Sequence, residues 1–208
     1  MMAHFLTLRS CINSWVNIGV IYLTPGIICR YSLSQSSLDH HIPFILVILG
    51  TVVFLSQFQQ LLAPDFQDDH LSWRLAHGMP PLKLGLNKLL YSVNHSIIPL
   101  LITFAGMLIT SDTPSLNFIQ ILSFGLTLLS LVGWSLIVTL IQGKSSGLTS
   151  IFLLPMAIPS LLISQSLFSA VALGHEPGYY LLMQAGLALF AGAVSMMLTP
   201  VVIKSGSW

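Results

Sequence analysis

Long apolar stretches alternate along this chain with short polar breaks. Each stretch approaches or exceeds the ~20 residues that an α-helix needs to cross the hydrocarbon core of a bilayer. The six predicted spans cover residues 12–29, 42–62, 89–110, 118–142, 148–173 and 179–203. The pattern therefore predicts an all-α fold, a polytopic membrane helix bundle with six transmembrane helices. We interpret residues 1–208 as a single transmembrane domain.

Composition supports a membrane location. Hydrophobic residues make up 54% of the chain and charged residues only 6%, with a mean hydropathy of +0.87. A soluble domain carries roughly 25% charged residues, so this deficit excludes an ordinary globular surface. The net charge of +1 gives no reason to expect a nucleic-acid partner.

Residues 1–14 mix apolar and polar positions. Phe5 and Leu8 stand among His4 and Arg9, a pattern that favours a short helix lying in the membrane interface. A frayed amino terminus is the alternative reading. The start lacks the charged, apolar and small-residue order of a signal peptide, so we expect the first span to be retained.

Charge is concentrated in one polar stretch, residues 57–88. It holds six of the chain's 13 charged residues, which comprise 7 basic and 6 acidic side chains. They are Asp65, Asp68, Asp69, Arg74, Lys83 and Lys88. Hydrocarbon does not tolerate such a cluster, so the stretch must lie in water or at a membrane surface.

The sequence predicts a short amphipathic helix within residues 64–81. Pro64 is expected to end the second span, and Asp68 and Asp69 suit the amino terminus of the next helix, where free N–H groups attract carboxylates. The residues on and beside its predicted face are Leu71, Trp73, Arg74 and Leu75.

The end of this segment also has clear signals. Gly78 and Pro80 are expected to stop the short helix. Pro81 suits the first turn of the following helix, and Lys83 and Lys88 mark where that helix enters the bilayer.

The distribution of basic residues predicts the orientation. Six of them fall on one side of the predicted membrane and only Arg30 on the other. The six are Arg9, Arg74, Lys83, Lys88, Lys144 and Lys204. Because basic residues are enriched on the inner side, both termini and the segment 64–81 are predicted to face the cytoplasm, or a mitochondrial matrix.

No catalytic motif stands out. Gly143-Lys144-Ser145 resembles the end of a phosphate-binding loop, but Val138 occupies the place of its first glycine and a membrane span precedes it. We therefore expect no nucleotide site on this chain and no enzyme activity of its own. Any ATP dependence must come from another subunit.

Polar residues inside the predicted spans are neutral. Asn17, Gln120, Gln165, Gln184 and many serines suit contacts between helices, or the lining of a pathway. No Asp, Glu, Lys or Arg lies in the core of a predicted span, which weakens the case for an ion-coupled carrier.

Two further features are candidates for function. Pro155 and Pro159, four residues apart, should bend the fifth span, either as a gating helix or as a static kink. His40, His41 and His175 fall on the predicted outer side and are candidates for haem contact. Their spacing gives no metal-site motif, so no metal site is predicted.

Three motifs in order carry a resemblance to a known family. FQDDHL follows the second span, PPLKLGLNKLL leads into the third, and LLPMAIPSLL lies in the fifth. With EPGYYLL near the end, this set resembles the haem exporter protein B family (CcmB), the ABC-type permeases of cytochrome c maturation. After the second span, Gln67, Asp68 and Leu71 match the family pattern, whereas Asp69 replaces a glycine and Ser72 a glutamate.

The resemblance implies an ABC-2-like exporter permease in a bacterial inner membrane, or alternatively a mitochondrial one. Its expected partners are a cytoplasmic ABC ATPase, which binds the ATP, and a haem-handling membrane subunit with a haem chaperone. Haem is the possible cargo, and no cofactor is expected on this chain. The segment 64–81 becomes a coupling segment, with Asp68, Asp69, Leu71, Trp73, Arg74 and Leu75 as candidate ATPase-docking residues.

Two alternatives stay open at this point. One is a permease of the same architecture for another cargo, such as a lipid or a drug. The other is an assembly factor that remodels a complex without transport.

Overall fold

The computed structural model describes residues 15–28, 42–67, 77–109, 114–142 and 149–205. These residues form six helices, and none of them lies in a β-strand. The helices are α1 (Trp15–Ile28), α2 (Ile42–Gln67), α3 (Pro81–Ser92, continued by a π-helical turn at Val93–Ile97 and by Ile98–Ile109), α4 (Pro114–Gln142), α5 (Thr149–Ala172) and α6 (Gly178–Ser205).

The all-helical membrane character is confirmed. Four helical segments are long and apolar enough to cross a bilayer, by length and composition: Pro81–Leu108, Phe118–Thr139, Leu153–Ala172 and Gly178–Ile203. Two shorter apolar segments, Trp15–Ile28 and Ile42–Gln57, occupy the places of the first two predicted spans.

One predicted boundary, within the charged stretch, is wrong. The second span was expected to end at Pro64, but α2 continues to Gln67, because a proline removes one helical hydrogen bond and can bend a helix without ending it. The third apolar span was expected from Leu89, within a helix whose first turn was expected at Pro81, and α3 does begin at Pro81. The residues from Pro81 to Lys88 are too polar to count as part of the apolar span, but they are helical.

The predicted role of Pro81 is confirmed. It lies in the first turn of α3, where its missing N–H costs nothing because the first helical N–H groups have no partner within the helix. Gly78 lies in the preceding turn with a φ of +81°, a conformation that glycine adopts without strain. The predicted helices in residues 1–14 and 68–76 lie outside the described residues.

Helix α4 is the centre of the bundle and packs most extensively on α6 and α5. The backbones of α4 and α6 approach each other closely at Gly133, where a β-carbon would lie 2.7 Å from the backbone carbonyl carbon of Ala191 on α6 and 3.0 Å from its Cβ. Small residues permit such contact between helix backbones in membranes. This contact joins the two most closely associated helices of the bundle.

An aromatic cluster ties α1, α2 and α3 to the opposite side of α4. The fully buried ring of Phe124 lies 4.7 Å from the ring of Phe104 and 6.3 Å from that of Tyr22, between ring centroids. The Tyr22 hydroxyl donates a hydrogen bond of 2.8 Å to the backbone carbonyl of Leu46 on α2. Gly50 leaves room for Phe124, since a β-carbon there would lie 2.4 Å from the ring.

Candidate functional site

The described residues include only some of the predicted site residues. The candidates for ATPase docking (Asp68, Asp69, Leu71, Trp73, Arg74 and Leu75) and two of the histidines (His40 and His41) lie outside them. Pro155, Pro159 and His175 lie within them.

The two prolines lie inside α5, which continues from Thr149 to Ala172 through both of them. Pro155 and Pro159 are exposed, whereas Ala157 and Ser160 point into the bundle. Their pyrrolidine rings therefore lie on the outward face of the helix. A gating or kinking role for them stays a prediction.

The inward face of α5 carries serines that meet a hydroxyl-rich face of α4. Ser160 and Ser164 are one turn apart on α5, and Ser123, Thr127 and Ser130 follow one another at helical spacing on α4. None of the five is more than 1% exposed. Gln184 of α6, also 1% exposed, completes what we call the hydroxyl–amide cluster: Ser123, Thr127, Ser130, Ser160, Ser164 and Gln184.

Hydrogen bonds join the three helices within this cluster. The Gln184 Nε2 donates to the Ser164 Oγ at 2.6 Å and to the Thr127 Oγ1 at 3.2 Å. Those two hydroxyls are themselves 2.9 Å apart, and the Ser123 Oγ lies 3.4 Å from that of Ser164. Three helices therefore share one amide and three hydroxyls.

A second contact extends the cluster by a helical turn. The hydroxyl oxygens of Ser130 on α4 and Ser160 on α5 are 2.7 Å apart. The expectation that neutral polar residues in the spans join helices is thus confirmed for Gln184 and these serines. Gln165 differs, because it is exposed on α5.

The hydroxyls can accept from the amide because their own protons have partners. The Thr127 hydroxyl donates to the Ser123 carbonyl at 3.0 Å, and the Ser164 hydroxyl to the Ser160 carbonyl at 3.0 Å. Such bonds to the preceding turn are the usual way in which serine and threonine satisfy themselves inside a helix. They leave the hydroxyl lone pairs facing Gln184.

The oxygen of the Gln184 side-chain amide is not paired within the cluster. The Gln184 Oε1 is buried and has no hydrogen-bond partner among the described residues. Rotating the amide by 180° would point the oxygen at Thr127 and Ser164, whose protons would then have to leave their backbone carbonyls, and would leave the NH₂ group without an acceptor among the described residues. An unpaired buried polar group costs about 1–3 kcal/mol, so this incompleteness needs a physical explanation.

We expect Ser164→Ala to lower the free energy of unfolding by about 1–2 kcal/mol. The variant removes the hydroxyl that Ser123, Thr127 and Gln184 contact. Each hydrogen bond between membrane helices is worth about 0.6 kcal/mol. Ser166→Ala is the matched control. The Ser166 hydroxyl is exposed and donates to the Leu162 carbonyl of its own helix at 3.0 Å. Titration of both variants with a denaturing detergent measures the difference, and equal midpoints would contradict a structural role for the cluster.

His175 lies in an open cleft at the end of α5 and the start of α6. The cleft has a volume of about 760 Å³ and mixes polar and aromatic side chains. Its walls are Gln165, Ser166, Ser169, Ala170, Leu173, His175, Glu176, Tyr179 and Tyr180. The Tyr179 and Tyr180 rings meet edge to face, with centroids 5.7 Å apart.

The end of α5 positions His175 at this cleft. Gly174 has a φ of +72°, its N–H bonds the Val171 carbonyl at 3.1 Å, and the His175 N–H bonds the Ala170 carbonyl at 2.8 Å. This pair of bonds is a Schellman motif, which closes a helix with a glycine in the left-handed conformation. A haem contact by His175 stays a prediction.

The π-helical turn in α3 is a second polar feature that the sequence did not reveal. The His95 ring stacks on Tyr91 with centroids 3.8 Å apart, and the Lys88 Nζ lies 5.9 Å from the Tyr91 ring centroid. The Trp15 Nε1 of α1 donates to the Asn94 carbonyl at 3.1 Å. The wider helical turn thus docks α1 onto α3.

Metal-binding side chains are not grouped in the part of the chain that the structure describes: no three His, Cys, Asp or Glu residues there could hold one ion. The comparisons with known proteins add no relative, since no family model matches the chain and no curated protein is significantly similar to it.

Proposed function

We propose that this chain is the membrane subunit of an ABC transporter complex in c-type cytochrome biogenesis, driven by a separate ATPase. What carries the proposal is the charged connection between α2 and α3. Helix α2 extends to Gln67 and α3 begins at Pro81, so residues 68–80 join the two helices. A force applied to this connection would act on both helices.

The resemblance to the haem exporter family supports the proposed partner and cargo. The residues after the second span, Gln67, Asp68 and Leu71, match the pattern of haem exporter permeases. An ABC-2-like architecture, a bacterial inner membrane and cytoplasmic termini belong to the same proposal. ATP hydrolysis takes place on the partner, and either export of haem or release of a haem-loaded chaperone uses the energy.

The proposed mechanism is a push on the coupling segment, residues 64–81. Closure of the ATPase dimer moves the segment, and α2 and α3 tilt with it as rigid bodies. A coupling free energy of about 1–3 kcal/mol between two sites is ordinary for such a switch. Trp73 and Leu75 are the proposed anchors, because a buried aromatic and an aliphatic residue commonly dominate small interfaces.

We expect Leu75→Asp to abolish co-purification with the ATPase, and Trp73→Ala to weaken it by at least about tenfold, since loss of an anchor side chain costs about 2 kcal/mol. The yield of c-type cytochrome should fall in parallel. Lys204→Ala is a control at the far end of the chain that leaves the segment unchanged. Normal binding and normal cytochrome yield in both anchor variants would refute the proposal.

The same experiment separates the alternatives. An unchanged cytochrome yield with impaired ATPase binding would favour a permease for a lipid or a drug. Impaired yield without ATP-dependent haem flux into vesicles that contain the purified complex would favour an assembly factor.

A further inference from the structure

The hydroxyl–amide cluster and the cleft beside His175 lie next to each other along α5 and α6. Gln165 of the cleft wall directly follows Ser164 of the cluster, and Tyr180 of the cleft wall is one helical turn before Gln184. Four residues along an α-helix span about 6 Å, the length of two hydrogen-bonded water molecules. The cluster is therefore close to an opening that is accessible to solvent.

Exposed and buried serines of α5 both lie within this short distance. Ser166 and Ser169 on the cleft wall are exposed, whereas Ser164 is fully buried and bonded to Gln184. Gln184 is six positions after Gly178, where α6 begins, which corresponds to a depth of about 9 Å along the helix. On α5 the cleft residues and Ser164 lie on different faces, so the link between cleft and amide runs along α6, where Tyr180 of the cleft wall lies one turn before Gln184 on the same face.

The unpaired end of Gln184 indicates what completes the site. Both amide orientations leave one polar end without a partner among the described residues, so an error in assigning the amide oxygen and nitrogen does not remove the problem. Buried water usually serves such a group, because it can both donate and accept. An apolar lipid chain can neither donate nor accept a hydrogen bond.

We propose that the cleft and the hydroxyl–amide cluster form one hydrated recess, in which water reaches the Gln184 amide from the cleft. The recess admits water and other small uncharged groups that form hydrogen bonds. It ends at the cluster: further along α4 the fully buried Ser135 hydroxyl donates to the Val132 carbonyl of its own helix at 2.9 Å and is not an unpaired polar atom that calls for water. This inference does not depend on haem, on the ATPase or on the coupling segment.

Exchange of a thiol proton for deuterium tests the proposal with a probe no larger than water. Single cysteines replace Ser164, Ser169 or Ser135 in a chain whose own Cys11 and Cys29 are changed to serine. Each purified variant in lipid nanodiscs is transferred to D₂O, and the infrared S–H stretch is followed as it converts to S–D. Serine to cysteine is the smallest change that introduces the signal.

We expect Ser169→Cys to exchange fastest, Ser164→Cys more slowly, and Ser135→Cys slowest of the three. Adding Gln184→Leu to Ser164→Cys should slow exchange by about tenfold, because the water loses one hydrogen-bonding partner. A factor of ten corresponds to about 1.4 kcal/mol, which is within the range for one hydrogen bond. If Ser164→Cys does not fold, Thr127→Cys takes its place as the cluster variant. It too should exchange more slowly than Ser169→Cys and faster than Ser135→Cys.

Two results would overturn the hydrated recess. One is exchange in Ser164→Cys or Thr127→Cys that is no faster than in Ser135→Cys, which would mean that only general opening of the bundle admits water. The other is exchange that Gln184→Leu leaves unchanged, which would mean that the amide does not hold the water.

Discussion

Phe124→Ala is expected to lower the free energy of unfolding by about 3 kcal/mol, the lower part of the range for Phe→Ala in a packed core. The Phe124 ring is fully buried, packs against Phe104 and Tyr22, and occupies the space that Gly50 leaves by having no side chain. The loss is mainly one of packing, because separated helices remain in lipid and no apolar surface is transferred to water. Detergent titration monitored by tryptophan fluorescence measures it.

Phe118→Ala is the matched control for this prediction. It lies near the start of the same helix, α4, and 68% of its surface is exposed. Its removal leaves no internal cavity, so we expect a change within about 0.5 kcal/mol. A large loss in Phe118→Ala together with a small one in Phe124→Ala would contradict the packing described for α4.

Gly133→Ala is expected to lower the free energy of unfolding by about 1–3 kcal/mol, because the added methyl group meets backbone atoms that cannot rotate away. The nearest are the carbonyl carbon and oxygen of Ala191, at 2.7 and 2.8 Å from the ideal β-carbon. Helices α4 and α6 must therefore separate. The detergent concentration at the midpoint of unfolding is the measurement.

Gly192→Ala provides the comparison, since a β-carbon at Gly192 of α6 meets no atom within 4 Å. Alanine is favoured over glycine inside a helix, so this variant should be unchanged or more stable by up to about 1 kcal/mol. Equal destabilisation of the two variants would mean that α4 and α6 do not approach each other at Gly133.

The helices themselves could be predicted from the sequence, because long apolar segments leave the backbone no alternative in a bilayer. The predicted fourth, fifth and sixth spans agree with α4, α5 and α6 to within a few residues. The end of α2 could not be located in the same way. That helix continues past Pro64 to Gln67, and apolar content alone does not report where a helix ends.

The hydroxyl–amide cluster could be predicted only in part. The helical spacing of Ser123 and Thr127, and of Ser160 and Ser164, is visible in the sequence and suggests one face on each helix. Which faces meet is decided by the packing of α4 against α5 and α6, including the approach at Gly133. That is a three-dimensional property, so the sequence did not single out Gln184 from the other neutral polar residues.

The proposed function depends on the coupling segment being in contact with the cytoplasm, where an ATPase can reach it. The most direct measurement is the sidedness of a single cysteine introduced by Ser72→Cys, in a chain whose Cys11 and Cys29 are changed to serine. A membrane-impermeant thiol reagent is applied to intact cells and to inverted membrane vesicles. The account predicts labelling in the inverted vesicles alone, whereas labelling in intact cells would contradict it.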